Sequence, residues 1–301
     1  MSSAPPTGRQ HTIAVSAVGV AVTAWGLTGV LIKSLDMEAI AIAFWRFLIF
    51  GSVLAVVHAL RGRPPTIALM RRTFPAGLML TGDVILFFTA IKLTAVVNAT
   101  TIGALQPLLI AGVAARFFGE RISRREMIAA ALAITGVTVV VTQSAGTPEW
   151  NGWGDLAAVG ALCAWSGYFV MAKRNAGKIP PLEFTMATGL WTALFALPVG
   201  LLFGQDMASP ATSDWLPLLT LLIVGGVFGH TLMNWAIPRV ALWLSSTMTL
   251  LTPVISSLAA WLWLDEPLTV WQLLAMGVVV AALTVIVTAQ NDQAPAELVS
   301  A

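Results

Sequence analysis

The sequence predicts an all-α integral membrane protein with ten transmembrane helices, arranged as two inverted five-helix repeats. Three observations carry that prediction. Of the 301 residues, 57% are apolar and only 10% charged, with a mean hydropathy of +0.85, whereas soluble domains hold about 45–50% and about 25%. The end of the first half recurs 146 positions later, with Gln106-Pro107 on Thr252-Pro253, Glu120 on Glu266 and Val141-Thr142 on Val287-Thr288. A repeating unit of five spans has odd parity, so its second copy must cross the bilayer in the opposite sense, as in secondary transporters.

Apolar runs between charged or turn-rich breaks place spans near 11–32, 38–60, 73–91, 95–117 and 124–142. A second set follows near 154–172, 182–203, 215–237, 240–264 and 270–289. Each is close to the roughly 20 residues that a hydrocarbon core requires. The halves are therefore 11–142 and 154–289, and little chain is left for a soluble catalytic domain. The first run is too long for the apolar core of a signal peptide. Its stretch from Ala24-Trp25 to Lys33 also recurs as Ala164-Trp165 to Lys173, so it belongs to the fold.

The fifth span of each half opens on a capping box, Ser123-x-x-Glu126 and Thr269-x-x-Gln272, whose side chains satisfy free backbone N–H groups. Pro107 and Pro253 fall inside spans four and nine, where each removes a backbone hydrogen bond and is expected to kink its helix. The matched pair reads either as two hinges or as two fixed bends in a cavity wall. Gly225-x-x-x-Gly229 in span eight marks close helix packing. The single cysteine, Cys163, allows no intrachain disulfide and is expected to be a small packing residue.

Placing the N-terminus inside puts thirteen of the sixteen basic residues on the cytoplasmic side, a bias that supports N-in, C-in and an even number of crossings. The outer loops then carry eight of the fourteen acidic residues, Glu149, Asp155, Asp265 and Glu266 among them. Trp150, Trp153, Trp215 and Trp271 sit near the same boundary, where interface anchors belong.

Taken in order and in two copies, a set of short motifs resembles the EamA-type drug/metabolite transporter superfamily. They are Ala24-Trp25-Gly26 through Lys33, Trp45-Arg46-Phe47, Ala90-Ile91-Lys92, Gln106-Pro107-Leu108 and the Glu120 and Glu266 loops. Within that superfamily the chain is most similar to the bacterial aromatic amino acid exporters, and the resemblance covers almost its whole length. It implies a central cavity between the halves and efflux of small metabolites across a bacterial inner membrane. The second half departs from the first at Thr192, where the first has Arg46.

Titratable groups within the bilayer are costly, and three stand here. Asp83 lies eleven residues beyond Arg72 and nine before Lys92, which at about 1.5 Å per residue puts it near mid-membrane. His230, beside the repeat position of Asp83, lies at a similar depth. The two read as cavity residues that bind the ends of a zwitterion or relay a proton. Arg46 is close to the same depth, and the structural alternatives are an Arg46–Asp83 ion pair and a helix-packing hydrogen bond for His230. Trp25 and Trp165 occupy matching places and read either as packing bulk or as aromatic walls of a binding site, with Tyr168 on the face of Trp165. Asn98, Asn234 and Ser245 either bond between helices or line a wet path.

The chemistry of other classes is missing. There is no H-E-x-x-H, Cys/His cluster, paired intramembrane carboxylate or Gly-x-Ser-x-Gly elbow, which excludes the common enzyme classes, and no metal or cofactor is expected. Without a P-loop, the energy source is a gradient, either the substrate's own or that of protons. Nucleic acid is not implied. The sequence therefore predicts a secondary transporter that exports amino acids, aromatic ones included, by alternating access, with efflux of drugs or other metabolites as the alternative.

Overall fold

The computed structural model describes residues 8–145 and 151–293. Glu149 and Trp150 lie outside them. Among the described residues, ten helices are long and apolar enough to cross a membrane. In chain order they are α1 (Gly8–Lys33), α2 (Ala39–Leu60), α3 (Ile67–Leu93), a divided α4, α5 (Arg124–Ala145), α6 (Gly152–Arg174), α7 (Pro181–Leu202), α8 (Thr212–Arg239), a divided α9 and α10 (Val270–Gln293).

Local chemistry sets the ends. The Thr66 hydroxyl accepts from Leu69 N at 3.2 Å, so α3 begins at Ile67, six residues before the sequence-derived boundary at 73. Asn151 caps α6 in the same way, accepting from Gly154 N at 3.0 Å. Pro181 opens α7 at a position where its missing N–H costs nothing. Both capping boxes form. Ser123 N donates to Glu126 at 2.8 Å, and Thr269 N donates to Gln272 at 2.7 Å.

Spans four and nine are broken rather than kinked. α4 divides into α4a (Val96–Gly103) and α4b (Gln106–Phe118), and α9 into α9a (Leu242–Met248) and α9b (Leu251–Leu264). Pro107 and Pro253 sit in the first turn of the second segments, where orphan N–H groups make proline cheap. Span eight holds a second departure, a π-helix over Leu222–Thr231 that includes Gly225, Gly226 and Gly229.

The two halves run antiparallel. Gln290, near the end of α10, donates to Glu126 at 2.5 Å, and Gln272, at the start of α10, donates to Ser144 near the end of α5 at 2.6 Å. These bonds join equivalent residues in exchanged roles at opposite ends of one helix pair. At one face Glu120, after α4b, reaches the α8–α9 junction; at the other Glu266, after α9b, reaches the end of α1. Packing follows the same exchange: α3 packs on α6 as α8 packs on α1, and the divided α9 packs on α1 as the divided α4 packs on α6.

Where helices touch, small residues let them approach. A Cβ on Gly136 of α5 would stand 2.7 Å from Val279 of α10, and one on Gly51 of α2 would stand 2.9 Å from Leu190 of α7. Trp45 and Trp191 hold matching posts, each indole donating at 2.9 Å to a backbone carbonyl, Ala208 and Met70 respectively. Trp153 and Trp271 are exposed near the Glu266 face, as interface anchors would be. Cys163 is not a packing residue. It is exposed on the outer surface of α6.

Candidate functional site

A cavity of about 390 Å³ lies between the halves, bounded by α1, α2, α3, α4a, α6, α8 and the broken turns of α4 and α9. Its polar and aromatic wall is made by Trp25, Arg46, Asp83, Gln106, Trp165 and His230. The break in each divided helix is what opens this space. Where α4a stops at Gly103 and α9a at Met248, the chain turns once before helix resumes, and Ala104, Thr249 and Leu250 of the turns join the lining. Gln106 and Thr249 tie the two breaks together across the repeat axis, the threonine hydroxyl donating to Gln106 Oε1 at 3.1 Å.

Four aromatic rings surround His230. Centroid distances are 5.4 Å to Trp25, 5.5 Å to Phe47, 6.4 Å to Trp165 and 6.4 Å to Tyr168. Trp25 and Trp165 meet edge to face at 5.3 Å, close to the preferred geometry for such pairs. Gly229 makes this assembly possible, because a Cβ there would collide with the Trp25 indole. Gly226 and Gly225 of the π segment likewise leave room for Phe50 and Thr28, where an added Cβ would stand at 3.3 and 3.1 Å.

Of the residues expected from sequence, Trp25, Asp83, Trp165, His230 and Pro253 line the cavity. Asn98 instead donates to Asp155 at 3.1 Å. Tyr168 is stacked behind Trp165 at 5.6 Å and accepts from Asn234 at 2.7 Å, and Asn234 also donates to Thr185 at 2.9 Å. Ser245 bonds the carbonyl of Ala241 within its own helix at 3.1 Å, and Pro107 is buried away from the lining. Among the described residues no ion pair joins Arg46 to Asp83, so the structural alternative foreseen from their depths is not what forms. Gln106 and Thr249, set on the axis by the helix breaks, gave no stronger sequence signal than their polar neighbours did.

The cavity lies toward the Glu266 face of the bundle. Below it, toward the Glu120 face, Tyr168, Phe169, Phe184, Leu242, Trp243 and Leu244 are all buried in a solid core. That face is also fastened electrostatically. The Glu120 carboxylate accepts from the N–H groups of Leu242 at 2.6 Å and Trp243 at 2.9 Å, capping the start of α9a with a full negative charge. Lys173 stands 3.9 Å from Glu120 and donates to the carbonyls of Ile237 and Val240 at the end of α8. Their repeat counterparts behave differently. Glu266 and Lys33 pair with each other at 2.6 Å, with side chains 47% and 59% exposed.

Comparison with known proteins fits this architecture. The family model described as the EamA-like transporter family matches residues 12–142 and again 152–288. A probable amino-acid metabolite efflux pump of Salmonella typhimurium is 27% identical over 87% of this chain and 90% of its own. The aromatic amino acid exporter YddG of Ancylobacter novellus is 30% identical over 57% of this chain and 60% of its own. A solved crystal structure superposes with a TM-score of 0.78 at 23% identity, covering 92% of this chain and 98% of the other, which shows a shared fold. This is a multi-pass membrane transporter rather than an enzyme, and the chain belongs to the EamA-like transporter family.

Proposed function

We propose that the chain exports amino acids, aromatic ones among them, by alternating access at the central cavity. The observation that carries this reading is the cavity itself. A space between the halves joins the tryptophan pair to the polar and titratable side chains of Arg46, Asp83, Gln106 and His230. Such groups are costly within a bilayer, so a polar ligand that matches them is bound favourably. The tryptophan pair offers a stacking surface for an aromatic side chain. The names of two relatives, an amino-acid metabolite efflux pump and an aromatic amino acid exporter, point the same way.

The basic bias supports a cytoplasmic Glu120 face with both termini inside, and the bacterial relatives support a bacterial inner membrane. This conformation is then closed inward, with its cavity on the outer side. Exchange of the two halves' roles produces the opposite state. The breaks at Pro107 and Pro253 serve as its hinges, since a divided helix can bend without losing further hydrogen bonds.

The test is flux of radiolabelled phenylalanine, threonine and methionine into proteoliposomes. Flux above that of empty vesicles supports the reading, and none for all three rejects it. An imposed pH gradient in the same vesicles separates proton-driven from downhill transport. A second reading, efflux of lipophilic drugs, is favoured by the apolar lining of Leu80, Val84, Phe87 and Leu162. Drug flux without amino acid flux selects it.

A further inference from the structure

Arg46 and Asp83 are a base and an acid that share one cavity and do not meet. Among the described residues neither makes an ion pair or a hydrogen bond within the protein. The Arg46 guanidinium lies over the Phe47 ring at 4.6 Å, with Nε buried and unpartnered.

Neither charge is needed by the repeat. The counterpart of Arg46 is Thr192, wholly buried, which donates to the Thr188 carbonyl of its own helix at 3.0 Å. The counterpart of Asp83 is Gly229, covered by the Trp25 indole. The five-helix unit therefore closes without a guanidinium or a carboxylate at these places, so the first half bears two costly charges that its twin does without.

A ligand decides whether that cost is offset. A neutral lipophilic molecule leaves both charges unmatched, a cation leaves Arg46 and an anion leaves Asp83; only a zwitterion answers both. We propose that Arg46 and Asp83 are the specificity-determining pair of the cavity, Arg46 taking a carboxylate and Asp83 an ammonium, so that the site selects free α-amino acids. This rests on the amino acid reading above and sharpens it. The planar guanidinium suits a carboxylate through paired N–H donors, and the tryptophans are left to face the side chain.

The test is thermal stabilisation of the purified full chain by L-phenylalanine, by its methyl ester, which keeps only the ammonium, and by N-acetyl-L-phenylalanine, which keeps only the carboxylate. Phenylalanine is expected to half-saturate at a concentration at least roughly tenfold below either analogue. Arg46→Gln is expected to abolish the preference over the ester while keeping that over the N-acetyl compound, and Asp83→Asn to do the reverse. Arg46→Lys and Asp83→Glu, which keep the charges, are expected to retain the wild-type order, and the wild-type series stands as a test even where a variant fails to fold. Equal binding of all three ligands by the wild type, or an unchanged order in both charge-removing variants, overturns the pair while leaving the amino acid reading intact. Binding of none of the three overturns both.

Discussion

Glu120 and Glu266 hold the same place in the two halves and make different bonds. Glu120 is nearly buried and caps α9a, whereas Glu266 pairs with Lys33 in the open. An inverted repeat with identical local sequence in both copies would be indifferent to which face is sealed. The two carboxylates therefore distinguish the faces, one fastened by a largely buried cap and the other by an exposed pair.

Glu120→Gln is expected to lower stability by roughly 1–2 kcal/mol, because a neutral amide cannot supply charged acceptors to two backbone N–H groups. Glu266→Gln is expected to change little, since an exposed pair contributes little to begin with. Melting of the purified protein in detergent measures both, and equal losses would remove the asymmetry.

Gly229→Ala puts a methyl group into the Trp25 indole and is expected to displace the ring from Trp165 and His230. The KM for phenylalanine flux is expected to rise by about five- to tenfold, the equivalent of one aromatic pair. Gly277→Ala, where an added Cβ has nothing within 4 Å, is the control and is expected to match the wild type.

Thr249→Val and Gln106→Leu each break the tie between the two helix breaks. Each is expected to cost about 1 kcal/mol of stability, and the double variant about as much as one alone, because both remove the same bond. Additive losses in thermal melts would mean that the two side chains act separately.

Pro107→Ala and Pro253→Ala are expected to leave melting nearly unchanged, since both residues lie in first turns where an N–H is not required. The maximal rate of flux is expected to fall by severalfold while KM holds, because alanine lets the divided helices close across the break. Unchanged rates would make the breaks fixed features of the cavity wall.

The fold was largely legible in the sequence because bilayer physics is coarse. Span length, capping boxes and repeat parity each follow from rules that tolerate substitution. The breaks were only half legible: Pro107 and Pro253 marked the places, but a proline in the first turn of a new helix and a proline kinking a continuous one carry the same signal. The π segment of α8 was read only as Gly225 and Gly229 packing closely, because nothing in the glycine spacing specifies an i+5 bond. For the site, depth along the helix located Asp83, His230 and the two tryptophans, since rise per residue is fixed. Depth failed for the others. Tyr168, Asn234 and Ser245 lie toward the Glu120 face, below the cavity, and bond one another or their own helix, while Asn98, at the start of α4a, turns to Asp155. The exchange of Arg46 for Thr192 was visible, and only the structure shows that its charge goes unpaired.

The measurement that tests alternating access most directly compares Thr100, which lines the cavity, with its repeat counterpart Ser246, which is fully buried. In a Cys163→Ser background, Thr100→Cys and Ser246→Cys are each offered a membrane-impermeant maleimide from either face while phenylalanine is supplied. Thr100→Cys is expected to react from the Glu266 face, and Ser246→Cys from the Glu120 face, faster when phenylalanine is present. A Ser246→Cys protein that stays inert from both faces while it carries phenylalanine at the wild-type rate would contradict the account.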